Sequence, residues 1–327
     1  MDIKRKRTWF VTGAIVLVLF LFFFFYNILF GAPQSDAVPE QFTIPIGADR
    51  AWVIERLGER EFIKNPLAFG LVLWLRGVNT IEAGGYKVSK AMNAWELAGV
   101  IGKPPSMKWV VVPEGLRKEE IAEILRQRLG WSSDETQKWI STYTAESADF
   151  FEGVYFPDTY LIPVDESPLN VARRFRAKFE EKFAPFAKEA IAQNIKWTTL
   201  LKIASIVQRE AAGIDDMPLI AGILWNRLLK NMKLEVDATV QYARGDTGNG
   251  WWAPLSSSDK QIDSPYNSYL YKGLPPHPIA NPGLDAIRAV LHPTPTKCLF
   301  YLHDNSKTIH CAETYEAHRE NIRTYLQ

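Results

Sequence analysis

At 327 residues, the chain is long enough for two folded modules and an anchoring segment. Its composition, 47% hydrophobic and 13% aromatic, excludes an intrinsically disordered protein. The formal net charge is +1, and without residues 1–31, which hold four bases and one acid, the remainder carries −2. A body so close to neutral lacks the basic surface that nucleic-acid binding requires, so no nucleic-acid partner is expected.

The first predicted element is an uncharged, apolar run from Thr8 to Phe30. As a helix this run would be about 34 Å long, enough to cross a hydrocarbon core of about 30 Å. Four consecutive bases precede it, whereas Asp36 and Glu40 follow it. The positive-inside rule therefore predicts a cytoplasmic tail over 1–7, a transmembrane helix over 8–30, and an exported remainder.

A cleaved signal peptide is the alternative for this segment. The apolar region of a signal peptide usually spans about 7–15 residues and ends in small residues. The run in this chain is longer, and it ends in the bulky residues 26–30. Length therefore favours an uncleaved anchor, and a mature protein that starts near residue 32 would instead indicate cleavage.

Residues 31–41 contain Pro33 and Pro39 among small and polar residues, which predicts a short linker. The segment 42–105 then alternates short strand and helix patterns, with Asp49 as a candidate helix cap. The predicted elements of this small β/α module are strands over 41–46 and 86–88 and helices over 50–60, 65–77 and 93–101.

After residue 131 the pattern becomes mainly helical, and the overall fold class is predicted to be α+β, with a mainly helical second domain over 106–327 that also has ordered loops and a few short strands. Residues 245–285 are rich in Gly, Pro, Asn, Ser and aromatic residues and are predicted to be ordered loops. The predicted elements are strands over 109–112 and 299–302, a hairpin-like return after the second of these, and helices over 117–129, from 133, 168–192, 198–211, 218–229 and 314–325.

Cys298 and Cys311 are the two cysteines of the chain. In an oxidising compartment they can pair, but the sequence leaves open whether they are paired or free. A zinc site that also used His303, His310 and His318 would not match the standard ligand spacings, so no metal and no other cofactor is expected.

The predicted helix 198–211 carries the strongest candidate for catalysis. One apolar stripe is formed by Leu200, Ile203, Ala204, Val207 and Ala211, and Glu210 falls at the edge of it. Lys202 and Arg209 fall on the opposite side of the helix. A carboxyl group at such a place loses hydration, which raises its pKa and suits a general acid near neutral pH. The pattern alone also fits a Glu that pairs with an Arg or caps a helix, which is the commoner structural role of such a residue.

Downstream of Glu210, polar and aromatic residues recur in segments rich in Pro and Gly. Their amides, carboxylates and rings could bind sugar hydroxyls and stack on sugar faces, whereas a rigid structural lid would use the same composition. The residues predicted to contact a glycan are Asn226, Arg227, Asp237, Thr239, Gln241, Tyr266, Asn267 and Tyr269.

Several motifs in this order resemble the MltG/YceG-like endolytic murein transglycosylase family. The motifs that carry the resemblance lie at 111–115, 152–160, 204–210, 220–228, 237–242, 264–269 and 273–283. The resemblance covers nearly the whole chain. It implies a LysM-like module over 42–105 that touches glycan, and a catalytic acid at the second acidic position of an acidic-x-Glu pattern, which is Glu210.

Two positions depart from the family pattern. Gln208 stands at the first acidic position, and it is predicted to point away from the apolar face that holds Glu210. The Gly-rich stretch before the late histidine is shortened around 304–307, which leaves the role of His310 undecided.

The resemblance implies a lyase of the cell inner membrane, single-pass with a periplasmic catalytic domain. It would cut peptidoglycan glycan strands non-hydrolytically and leave 1,6-anhydro ends, and it would associate with peptidoglycan synthases. One alternative is a lysozyme-like hydrolase with Asp158 or Asp237 as second carboxylate. Another is a non-catalytic, membrane-tethered glycan-binding scaffold. Serine or zinc hydrolases are not supported, because G-x-S-x-G and H-E-x-x-H are missing from the sequence.

Overall fold

The computed structural model describes the backbone of residues 2–145 and 151–326, with side chains from residue 9 onward. The chain divides into two compact units. The first comprises Met1–Trp109 with Tyr160–Asp165, and the second comprises Val110–Thr159 with Glu166–Gln327. The segment Tyr160–Asp165 of the first unit begins at the end of the motif 152–160. Sequence patterning provides no secondary-structure prediction for this motif.

The chain begins with helix α1 (Asp2–Phe30). Within it, Trp9–Phe30 has a mean hydropathy of 2.6 and none of it is buried. Over the described ranges, this is the one helix long and apolar enough to cross a membrane.

The first unit contains a sheet of order β1-β2-β3-β4, formed by Glu40–Ile44, Gly84–Val88, Met107–Val111 and Thr159–Pro163. Strand β2 is antiparallel to both β1 and β3. The helices of this unit are α2 (Arg50–Glu59), α3 (Pro66–Leu75) and α4 (Ala94–Ile101).

The predicted helix cap at Asp49 is confirmed. The Asp49 carboxylate accepts a hydrogen bond of 2.8 Å from the Trp52 amide at the start of α2. Asn93 and Glu96 form a reciprocal capping box at the start of α4. One hydrophobic core joins sheet and helices, and its fully buried members include Phe42, Leu57, Phe69 and Leu97.

The predicted linker over 31–41 is attached to the first unit by hydrogen bonds. The Gln34 amide donates to the Lys90 carbonyl at 3.0 Å, and the Ser89 hydroxyl donates to the Ala37 carbonyl at 2.6 Å. The segment that joins α1 to β1 is therefore packed rather than a free spacer.

The second unit is mainly helical, as predicted. Its elements are α5 (Lys118–Leu129), α6 (Ser133–Lys138) with a π-helical turn (Trp139–Tyr143), α7 (Pro168–Ala192), α8 (Trp197–Glu210), α9 (Met217–Leu229), α10 (Asp237–Arg244), α11 (Leu284–Leu291), β5 (Phe300–His303), β6 (Ile309–Ala312) and α12 (Tyr315–Tyr325). Helix α8 packs against α9 and α11. Helices α10 and α11 were not predicted, because eight residues are too few for a clear helical period.

Helix α8 buries four of the five residues of the predicted stripe, since Leu200, Ile203, Ala204 and Val207 are all inaccessible to solvent. The fifth, Ala211, is only part-buried, because the helix ends at Glu210 and the chain turns to an extended conformation there. Arg209, on the side of α8 opposite the stripe, is packed against protein and is not fully solvated. Its guanidinium lies 3.9 Å from the centre of the Trp252 ring, and it donates a hydrogen bond to the Gly115 carbonyl. A cation can leave bulk water in this way because the indole face and the carbonyl replace part of its hydration.

Cys298 and Cys311 form a disulfide that closes the antiparallel β5–β6 hairpin. We expect the double substitution Cys298→Ser/Cys311→Ser to lower the free energy of unfolding by about 3 kcal/mol, because the reduced chain gains loop entropy. Denaturant unfolding of the full chain measures this loss. Reduction of the unsubstituted protein should reproduce it, and equal stability of the oxidised and reduced forms would contradict the expectation.

Candidate active site

Glu210 is the last residue of α8, and its side chain is part-buried. It lines a cavity of about 360 Å³ in the second unit. The wall is built from the start of α10, the β5–β6 hairpin and the segment before α10. The other lining residues are Arg227, Leu234, Glu235, Asp237, Tyr269, Phe300, Tyr301, Leu302, His303, Tyr315 and His318.

The surroundings of the Glu210 carboxyl group favour its protonated form. Burial raises its pKa above the ordinary value for Glu, and the nearby charge of Asp237 adds to this rise. Hydrogen bonds from the Tyr301 hydroxyl and the Ala238 amide act in the opposite direction but are outweighed. Glu210 therefore keeps its proton to higher pH than an exposed Glu, as a general acid must.

Tyr301 orients this carboxyl group. Its hydroxyl donates to Glu210 Oε2 over 2.6 Å. Burial and the neighbouring Glu210 raise the pKa of Tyr301 well above its ordinary value, so the hydroxyl remains protonated at physiological pH. Tyr301 is thus a permanent donor fixed on β5, and it restricts the rotation of the Glu210 carboxyl group.

Asp237 and Tyr269 form a second polar group on the cavity wall, and Lys260 contacts both of them from beside the cavity. The Asp237 carboxylate accepts a hydrogen bond of 2.6 Å from the Tyr269 hydroxyl and forms an ion pair of 3.1 Å with the Lys260 ammonium. Lys260 Nζ also lies 4.3 Å from the centre of the Tyr269 ring. About half of the Asp237 side chain is exposed, so the group can still exchange water for the hydroxyl groups of a ligand.

Arg227 lines the cavity, but its guanidinium forms hydrogen bonds within the protein. Its guanidinium donates to the carbonyls of Leu299, Lys233 and Leu234, and it pairs with Glu235 at 3.0 Å. Only 7% of its side chain is exposed. Arg227 therefore fastens the end of α9 to the strand that carries Tyr301, and the glycan contact predicted for it stays a prediction.

Five of the predicted glycan contacts are absent from the cavity wall, namely Asn226, Thr239, Gln241, Tyr266 and Asn267. Their polar groups serve the scaffold. The Asn226 amide donates to the Thr296 and Cys298 carbonyls, the Gln241 amide to the Trp252 and Ala253 carbonyls, and the Asn267 amide to the Lys260 and Ile262 carbonyls. Direct contact between these side chains and a glycan is therefore a prediction that the geometry does not favour.

Thr239 and Tyr266 are likewise engaged within the fold. The buried Thr239 hydroxyl donates to the Val236 carbonyl at 2.7 Å and lies 2.8 Å from the Ser268 hydroxyl. The Tyr266 ring packs against Tyr242 with centroids 4.8 Å apart. These contacts hold the loop after α10 against that helix, which positions Asp237 and Tyr269 at the cavity.

Several cavity residues were not predicted from the sequence. Glu235 adopts a left-handed backbone conformation (φ 54°), which is uncommon for a residue with a side chain and is held here by a bond from its amide to the Ser268 carbonyl. His303 bonds to Asp216 at 2.9 Å. Tyr301 lies 91 positions after Glu210, so no local pattern could connect the two.

The two departures from the family pattern lie outside the cavity. The Gln208 side-chain oxygen accepts a hydrogen bond of 2.9 Å from the Gly283 amide, on the side of α8 away from Glu210. His310 bonds to Asp304 at 2.8 Å and stacks on Tyr325 with centroids 3.6 Å apart. Among residues 2–145 and 151–326, no group of three or more His, Cys, Asp or Glu side chains is arranged to hold a metal ion.

Comparison with known proteins gives one family. The profile of the YceG-like family matches residues 42–324. An endolytic murein transglycosylase of Streptococcus pneumoniae serotype 2 (strain D39 / NCTC 7466) is 26% identical over 317 residues, which cover 86% of this chain and 58% of that protein. The chain thus spans little more than half the length of that relative. An endolytic murein transglycosylase of Bacillus subtilis (strain 168) is 27% identical over 308 residues, covering 86% of this chain and 84% of that protein.

A crystal structure of a YceG-like protein from Listeria monocytogenes shares the fold, with a TM-score of 0.61. The superposition covers 87% of this chain and 99% of that chain, at 24% sequence identity.

Proposed function

Because the chain belongs to the YceG-like family, we propose that it is an endolytic murein transglycosylase, a lyase that cleaves peptidoglycan glycan strands. The observation that carries this proposal is Glu210. It combines a raised pKa, a fixed hydroxyl donor and an open cavity. Those properties are required of a carboxyl group that protonates a glycosidic oxygen.

The proposed bond is that between C1 of N-acetylmuramic acid and O4 of N-acetylglucosamine. Glu210 donates its proton to O4 as the C1–O4 bond breaks and C1 gains oxocarbenium character. The Glu210 carboxylate then accepts the proton of the C6 hydroxyl, whose oxygen bonds to C1 and forms the 1,6-anhydro ring. Glu210 ends protonated, no water is consumed, and no cofactor takes part.

A single carboxyl group suffices for this reaction because the nucleophile belongs to the substrate. Hydrolysis usually needs a second carboxylate that activates water or attacks the sugar. The cavity does contain Asp237, so a lysozyme-like hydrolase is the second candidate. Both Tyr269 and Lys260 hold the Asp237 carboxylate, which suits ligand binding better than the deprotonation of water.

The rest of the proposed assignment concerns location. Helix α1 would anchor the protein in the inner membrane with residues 1–7 in the cytoplasm and the second unit in the periplasm. The first unit would be a LysM-like module that contacts glycan. A tethered lyase reaches only strands near the membrane, so we propose that it trims nascent strands beside peptidoglycan synthases.

The products distinguish the candidates. Sacculi digested with the full chain and analysed by mass spectrometry should contain 1,6-anhydro-muramic acid ends. Reducing ends would indicate the hydrolase, and unchanged sacculi would indicate a glycan-binding scaffold without catalysis.

Tyr301→Phe provides a test of how Glu210 is tuned. The hydroxyl of Tyr301 lowers the pKa of Glu210, so its removal should raise that pKa further. Since the acid form of Glu210 starts the reaction, activity falls as pH rises through its pKa, and this alkaline limb should move to higher pH. We also expect kcat to fall about 10-fold, because the carboxyl group loses its fixed orientation. A pH–rate profile of kcat/KM checks the shift of the limb, and the rate at saturating substrate checks kcat. An unmoved alkaline limb would contradict the assignment.

A further inference from the structure

Helix α3 of the first unit is apolar on two opposite faces. Its inner face, which includes Phe69 and Val72, is buried in the core of the unit. Its outer face, which we define as Leu67, Leu71, Trp74 and Leu75, is exposed, with 87% of Leu67 and 66% of Trp74 accessible. These four positions recur at helical spacing and form one continuous stripe. A stripe of three leucines and a tryptophan is unusual on a surface that faces water.

The same unit holds the end of the apolar helix α1. The Lys64 ammonium donates to the Asn27 carbonyl at 3.1 Å, and α1 packs against α3. Phe30 packs on the core of the unit and lies 6.5 Å from Trp95, ring centre to ring centre. The position from which α3 starts is therefore fixed next to the last turn of α1.

Length and flanking charges define how α3 could meet a membrane. Ten residues form a helix of about 15 Å, too short to cross a hydrocarbon core of about 30 Å. Such a helix lies in the plane of the interface, with its apolar face a few ångströms below the headgroups. Lys64 and Arg76 are exposed at the two ends of α3, and cations that flank an interfacial helix favour its binding to anionic headgroups. Trp74 is the residue type that is enriched at this depth.

We propose that the outer face of α3 inserts into the interface of the bilayer that α1 crosses, so that the first unit is seated on the membrane at two points. The proposal rests on α1 spanning the membrane. It is independent of the reaction catalysed by the second unit. The hydrogen bonds of Gln34 and Ser89 support it, because they leave no free spacer that could hold the unit away from the lipid.

Lipid contact can be measured on the full chain in nanodiscs. Leu67→Cys and Leu71→Cys are each labelled with an environment-sensitive fluorophore, and spin-labelled lipids are then added as quenchers. Only the introduced thiol reacts, because Cys298 and Cys311 are bonded to each other. Val18→Cys, in the middle of α1, is the positive control, and Arg126→Cys, on the exposed side of α5, is the negative control.

We expect lipid quenching at Leu67 and Leu71 at least about twofold stronger than at Arg126, with blue-shifted emission. Quenching at Val18 without quenching at Leu67 and Leu71 would overturn the proposal and leave the anchor intact. Blue-shifted emission that lipid does not quench would also overturn it, because a protein partner would then cover the outer face of α3. Failure of quenching at Val18 would remove the anchor and the proposal together, while the analysis of cleavage products would be unaffected.

Discussion

Glu210→Gln should abolish glycan cleavage, with kcat reduced about 10³–10⁴-fold, because one side chain supplies both proton transfers of the proposed reaction. Gln has nearly the same shape as Glu, and its side-chain oxygen can still accept the hydrogen bond from the Tyr301 hydroxyl. It cannot donate a proton to the leaving oxygen or accept one from the C6 hydroxyl. The variant should therefore fold and bind glycan but fail to cut it.

The measurement is the release of soluble fragments from purified sacculi, with glycan binding followed in parallel. Glu235→Gln is the matched control, since Glu235 is a carboxyl residue on the same cavity wall that pairs with Arg227. We expect this control to keep cleavage within about 10-fold of the unsubstituted protein. Normal cleavage by Glu210→Gln would refute the catalytic assignment.

Asp237→Asn separates the two enzymatic candidates. In a hydrolase that used Asp237 as its second carboxylate, this change would be nearly as damaging as Glu210→Gln. In the single-carboxyl reaction it should act mainly on KM, because Asp237 then serves as a hydrogen-bonding group held by Tyr269 and Lys260. Comparable losses of kcat in the Asp237 and Glu210 variants would favour hydrolysis.

Local patterns were sufficient to predict much of the helical framework. Helix α7 matches its predicted span of 168–192, and the buried stripe of α8 matches the predicted periodicity. Long amphipathic segments are read well because burial of one face repeats over many turns. Strand β4 was missed because its pairing with β3 depends on a segment far away in the chain, which a local period cannot reveal.

The desolvated position of Glu210 could be predicted from the sequence, whereas its surroundings could not. Glu210 could be recognised because its place at the edge of an apolar stripe implies desolvation. The partner of this carboxyl group, Tyr301, comes from a hairpin whose position only the tertiary fold defines. The loops rich in Asn, Tyr and Pro look similar whether their amides bind sugars or backbone carbonyls, so Asn226 and Asn267 could not be assigned to the scaffold from the sequence.

Asn281 illustrates the same ambiguity most clearly, since it belongs to a Pro-rich motif but is completely buried. Its side-chain oxygen accepts a hydrogen bond of 2.8 Å from the Tyr155 amide. Its side-chain nitrogen donates to the Leu116 carbonyl and, at 2.7 Å, to the Glu152 carboxyl group. Its backbone exchanges further bonds with Gly115 and Leu116. Three motifs distant in sequence, at 111–115, 152–160 and 273–283, therefore meet at one residue, Asn281.

Glu152 makes this junction sensitive to charge. It is fully buried, and it accepts hydrogen bonds from the Asn281 side chain and from the Lys118 amide at the start of α5. Burial, followed by the neighbouring charge of Glu119, raises the pKa of Glu152. Because a raised folded-state pKa favours the protonated form, this group stabilises the fold less as pH rises above the ordinary Glu value. The bond from Asn281 offsets part of that loss.

We therefore expect Asn281→Ala to lower the free energy of unfolding by about 3–5 kcal/mol, because it leaves the Tyr155 amide without its acceptor and removes one of the two donors to the buried Glu152, the other being the Lys118 amide. Denaturant unfolding followed by tryptophan emission measures the loss. Asn321→Ala is the control, since its amide makes one long bond of 3.4 Å to Cys311, and it should change stability by less than about 0.5 kcal/mol.

Asn281→Asp sharpens the test, because a second buried carboxyl beside Glu152 should destabilise the fold more as pH rises and both groups tend to ionise. Equal stability of the two Asn281 variants at every pH would show that Glu152 and position 281 do not interact, and would leave the meeting of the three motifs without its proposed cause.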